Sequence, residues 1–175
     1  LPVDGVTRTE QFDLLKDPRL TEVTQADFVA QFDLAMAVHA RFNDATMAVT
    51  RIRALRGEVD DRVQSAADVQ VTQAGTALAT NLRDVEGDLY EGGAEAQSDL
   101  KHFGTRLANH LSYLKGVVMG ADARPTQQSF QVLEEISVEL DAHLERLELI
   151  LGDELDRFND LLREKGLPPV GRLIA

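Results

Sequence analysis

Four histidines, His39, His102, His110 and His143, are the side chains here best suited to hold a transition metal. A di-iron helical bundle needs Glu-x-x-His on two helices, with further carboxylates facing inward. No Glu stands three residues before any of the four, and the aspartate version occurs once, as Asp99 and His102. Asp141 and Glu145 flank His143 in the sequence but fall on other faces of a helix. His39, His110 and His143 therefore read as boundary residues beside apolar stripes. Met36, Met47 and Met119 read as gap-filling core residues rather than haem ligands. Cysteine is absent, which removes disulfides, thiolate metal sites, c-type haem attachment and a thiol nucleophile. The chain carries no glycine-rich dinucleotide loop, Walker loop or Gly-x-Ser-x-Gly. The expectation is no cofactor, no metal and no catalytic residue.

A second group of residues concerns recognition rather than chemistry. Arg51, Arg53 and Arg56 form a compact basic group, with Arg62 beyond. The stretch from Glu134 to Lys165 holds 11 acidic residues against Arg146, Arg157, Arg163 and Lys165. The arginines suit an acidic partner or another domain of a parent protein. They also suit pairing with the acidic stretch within the chain, and this second reading is preferred because helical arms must lie side by side. Arg56 and Glu154 each stand where a heptad repeat calls for an apolar residue. If their helices run parallel, both fall about thirty residues from the helix starts. They would then meet as a register-fixing ion pair, and a separation above about 12 Å would count against parallel arms.

Lys and Arg total 18 and Asp and Glu 30, giving a formal net charge of −12 over 175 residues. Such a surface repels phosphate backbones, so nucleic acid is not an expected partner. No apolar run approaches the roughly 20 residues of a membrane span.

The elements that carry these residues are helical. Thr24 with Asp27 marks a capping box, and a seven-residue repeat then runs to about residue 66. Phe28, Ala35, Phe42, Val49 and Val63 form one row; Val38, Ala45, Ile52, Val59 and Ala66 form the other. A second helix is expected over 69–91, closed by Gly92-Gly93, with its stripe from Val71 to Leu89. A third stripe comprises Leu100, Phe103, Leu107, Leu111, Leu114 and Val118. After the break at 120–125, a last helix opens at Thr126. It carries Phe130, Leu133, Ile136, Leu140, Leu144, Leu147, Leu151, Phe158 and Leu161, and closes at Gly166 before Pro168-Pro169. The lengths favour an elongated antiparallel all-α bundle of three arms with a broken middle arm. The alternative is a four-helix up-down-up-down bundle. Either is narrow, and no cleft is expected. Ahead of the helices, residues 3–15 read as an Asp4-Gly5 turn and a β-strand. Nothing later pairs with that strand, so residues 1–20 are expected to be the strand and linker remnant of a preceding β domain, and residues 21–175 the bundle.

The segments Asp4-Gly5-Val6-Thr7-Arg8-Thr9 and Lys16-Asp17-Pro18-Arg19 resemble the exit from a small β-sandwich. The proteins concerned are secreted bacterial sortilin-type β-propeller proteins, of the BNR-repeat or glycosyl-hydrolase-like kind. Ala26–Ala40, Arg51–Arg56, Ala123–Gln128 and Phe158–Pro168 resemble, in the same order, the C-terminal helical region of that family. The resemblance implies a secreted or periplasmic, non-catalytic module that packs against other domains of its parent or binds a protein partner. It carries over no catalytic residue, and it leaves oligomeric state open. The rival functions are a ligand- or metal-binding four-helix bundle and an accessory domain of a carbohydrate-active hydrolase.

Overall fold

The computed structural model describes residues 2–3, 6–7, 9–13, 15–90 and 106–171. Two short strands, β1 (Pro2–Val3) and β2 (Val6–Thr7), pair antiparallel with Val3 opposite Val6. The expected lone strand over 3–15 is thus corrected. Its partner is the preceding segment Pro2–Val3, and Pro2, with no N–H, cannot extend the ladder. Asp4 and Gly5, where the sequence predicts a turn, lie outside the described residues. Residues 9–13 have no regular structure, and Phe12 and Leu15 are exposed. Asp17–Leu20 then closes as a turn, Leu20 N–H donating to the Asp17 carbonyl.

Helix α1 (Gln25–Ala66) is the spine, 42 residues or about 63 Å long. Its capping box forms as the sequence predicts. Asp27 N–H donates to Thr24 Oγ1, while the Thr24 N–H and hydroxyl donate to the Asp27 carboxylate. The Thr24 hydroxyl holds the Asp27 carboxyl below the usual carboxylate range. α1 ends at Ala67 in the left-handed region (φ 48°), and Asp68 at once caps α2 (Val69–Leu89) through the Gln70 and Val71 N–H groups. So short a connection forces α2 back along α1.

Helices α3 (Leu107–Met119) and α4 (Gln127–Leu149) follow. A π turn over Ile150–Glu154 joins α4 to α5 (Leu155–Glu164) without interrupting the rod. Cross-links fix the direction of each arm. Near the C-terminal end of α2, Glu86 meets Arg53 and Arg56 of α1. At the C-terminal end of α3, the Val118 and Ala121 carbonyls accept from Gln31 Nε2 at 2.7 and 2.6 Å. The chain therefore descends α1 in two pieces, α2 and then α3. On the return, Arg41 meets Asp141, Arg51 meets Glu148, and Arg62 Nε donates to the Pro168 carbonyl. The arrangement is the three-armed one, up, down and up, with the middle arm broken between α2 and α3. Gly92-Gly93 and the first part of the third stripe lie outside the described residues.

The core runs the length of the rod. Val38, Ala45, Ile52 and Val59 of α1 are fully buried at spacings of seven. Leu34, Ala48 and Leu55 form a second buried row that the two-row seam does not predict. Helices of two arms pack on α1, so its apolar face is wider than a coiled-coil stripe. Beyond Gly166 (φ 71°) the chain turns back. Val170 is buried, its backbone held reciprocally by the Asn159 amide, and Gly171 N–H donates to Glu58.

Candidate functional site

The predicted recognition residues are placed in pairs within the chain. Arg51 reaches Glu148 on the last arm at 3.0 Å. Arg53 and Arg56 both turn instead to Glu86 of α2, one to each carboxylate oxygen. Arg53 also stacks its guanidinium 5.4 Å from the Tyr90 ring centroid. Pairing with the acidic last helix therefore holds for Arg51 alone. Glu86 stands between its two arginines with a side chain only 13% exposed.

Arg56 and Glu154 do not pair. Glu154 accepts from Asn81 Nδ2 at 2.7 Å. The π turn is the cause. Leu155 N–H bonds the Ile150 carbonyl, five residues back, and this adds about one residue to the helical register. Ile150 and Leu155 then both point into the core, and Glu154 swings aside onto α2. The inference of parallel first and last arms stands on other pairs, Arg41 with Asp141 and Arg51 with Glu148.

The histidines are scattered, and the methionines expected in the core are corrected, since Met36, Met47 and Met119 are all exposed. His39 Nε2 lies 3.4 Å from Asn43 Nδ2, and His143 Nδ1 lies 3.5 Å from Asp88. His110 is exposed on α3, and His102 lies outside the described residues. Among the described residues no three His, Asp or Glu side chains gather where a metal ion would sit. A polar clasp closes the far end of the rod, where Lys165 Nζ donates to Asp68 at 2.8 Å. That bond, with the N–H groups of Val71 and Gln70, holds the Asp68 carboxyl below the usual range.

The expectation of no cleft is corrected. An open groove of about 1140 Å³ runs between α3 and α4. Its lining comes from Asn109 to Val117 on one side and from Thr126 to Glu139 on the other, and no α1 residue lines it. Tyr113 and Val117 on α3, and Val132 and Ile136 on α4, stand one turn apart along each wall. Tyr113 is 76% exposed, Val117 53% and Val132 39%. Sequence reasoning passed over them because they lie just outside the main stripes, Leu107-Leu111-Leu114-Val118 and Ile136-Leu140-Leu147. The available signal was that both helices carry more apolar residues than one buried stripe uses. A smaller groove of about 560 Å³, lined by Met47, Ala54 and Leu144 among others, lies between α1 and α4 and is bridged by the Arg51–Glu148 pair.

No family model matches the chain, and no characterised protein and no solved structure matches it.

Proposed function

We propose that the chain is a non-catalytic structural and protein-interaction module, the C-terminal helical region of a secreted or periplasmic β-propeller protein. The propeller context and the compartment rest on the ordered resemblance of Asp4–Thr9, Arg51–Arg56, Ala123–Gln128 and Phe158–Pro168 to that family. The observation that carries the interaction role is where apolar surface is left uncovered. Phe12 and Leu15 on the lead-in, Val29, Phe32 and Met36 on α1, and the α3–α4 groove all face solvent. Apolar surface of this extent marks contact surfaces. The long spine suits a spacer that holds such surfaces at fixed separation.

Elemental analysis with a visible absorption scan on the purified chain tests the non-catalytic half of the reading. The expected result is no stoichiometric metal and no chromophore. Stoichiometric metal or haem overturns it in favour of a ligand-binding bundle.

A further inference from the structure

We infer that the α3–α4 groove is the docking site of a basic amphipathic helix from a protein partner. The inference rests on the reading of the chain as an interaction module and names what the module takes. The groove has two apolar rails, Tyr113 and Val117 facing Val132 and Ile136. Its α4 wall, from Gln128 to Glu139, is about 17 Å long, or three turns of a docked helix. Here α1, α3 and α4 occupy three corners of a four-helix arrangement, and a fourth helix in the groove would cover the exposed rails.

Charge selects the occupant. Glu135 and Glu139 rim the α4 wall one turn apart, both exposed and, among the described residues, neither in an ion pair. Like charges at that spacing repel, and a cation brought by the partner relieves them. The chain's net charge of −12 steers cationic ligands toward it and repels anionic lipid and nucleic acid. A second copy of so acidic a chain is disfavoured on the same ground.

The probe is a fluorescein-labelled peptide of about 18 residues, long enough to form a helix. It carries Leu at three-four spacing and Lys elsewhere, and is read by fluorescence anisotropy against the full chain. Two controls share its length, one a scramble of the same composition and one with every Lys replaced by Glu. The expected result is saturable binding of the Leu/Lys helix, at least about tenfold tighter than either control. Val117→Asp and the pair Glu135→Lys with Glu139→Lys each weaken it about tenfold or more. Glu145→Lys with Asp153→Lys, the same change in net charge away from the groove, leaves it within about twofold. All these side chains are exposed, and unchanged circular dichroism confirms the fold of each variant.

The inference is overturned by equal binding of the scramble, by equal weakening in the distant pair, or by no binding. It is also overturned by a dimer in sedimentation that Val117→Asp dissolves, since a second copy would then hold the groove. A preparation free of stoichiometric metal that fails to bind sinks only this inference. Stoichiometric metal sinks the module reading whatever the peptide does.

Discussion

The two halves of the rod share one spine and are finished differently. Where α1 lies against α2 and α5, the large apolar residues are buried or half-buried except Val69 at the start of α2: Ile52, Leu55 and Val59 meet Val71, Leu78, Leu82 and Val85, with Leu155, Phe158 and Leu162 closing the third side. Polar residues there are committed too, in Arg53 and Arg56 with Glu86, Glu154 with Asn81, and Lys165 with Asp68. Where α1 lies against α3 and the start of α4, the core is as continuous, but large apolar side chains remain outside it, and among the described residues Glu135 and Glu139 have no ion pair. One half is complete as a fold. The other is sufficient as a fold and has surface to spare. In a single rod, that is how stability and recognition are kept apart.

The largest expected effect separates the halves by cavity cost. Leu82 is fully buried among three arms, and Leu82→Ala should cost about 3 to 4 kcal/mol in urea unfolding. Leu114 lies at the floor of the open groove, where neighbours and water can close in, and Leu114→Ala should cost about 2 kcal/mol. Equal costs would show that the α3 half is packed as tightly as the α2 half, and the contrast would fall. Next comes the charge fork. Glu86→Ala strands Arg56, whose Nε is already buried without a partner, and should cost about 2 kcal/mol. Arg53→Ala should cost well under half of that, because its side chain is half exposed.

A smaller effect changes sign between the halves. At Gly75 in α2, an added Cβ would overlap Val63 Cγ2 and lie 3.3 Å from the Phe158 ring. Gly75→Ala gains helix propensity but forces three helices apart, a net loss of about 1 kcal/mol. At Gly116 in α3 nothing stands within 4 Å, and Gly116→Ala should stabilise by about 0.5 to 1 kcal/mol. Shifts of the same sign in thermal unfolding would erase the difference in packing.

These contrasts show what a sequence displays. The bounds of α1 were legible because Thr24, Asp27 and an unbroken apolar repeat are local signals, read without a partner in view. The three-arm order was legible because the lengths of the stretches leave few ways to lay them side by side. The fate of Glu154 was not. A π turn is favoured only when the packing on both sides of it is known, and by heptad counting Glu154 rather than Leu155 fills the core position. Glu86 was missed as the shared counter-ion of Arg53 and Arg56 because nothing local marks it among 30 acidic residues. The groove was missed because a second apolar row on a helix looks, in sequence, like a wider core.

The smallest effect tests whether the closed half owes anything to its terminal clasp. Lys165 holds the Asp68 carboxyl below its ordinary range, so the charged form is favoured in the folded chain. A carboxyl depressed in this way contributes stability above its unfolded pKa, and loses it as pH falls through the folded value. The window therefore opens below about pH 4. Asp27, held down by Thr24 at the opposite end of the rod, acts with the same sign. Each single amide variant, Asp68→Asn or Asp27→Asn, should unfold at a lower urea midpoint than the parent at neutral pH, and the gap should close as pH falls through the folded value of the carboxyl it replaces. If the clasp is the stronger device, the neutral-pH gap is larger for Asp68→Asn, because it also loses the cation that ties α2 to the end of α5. A larger gap for Asp27→Asn would place the more valuable acid in the open half, and would turn the comparison around for electrostatics while leaving it intact for packing.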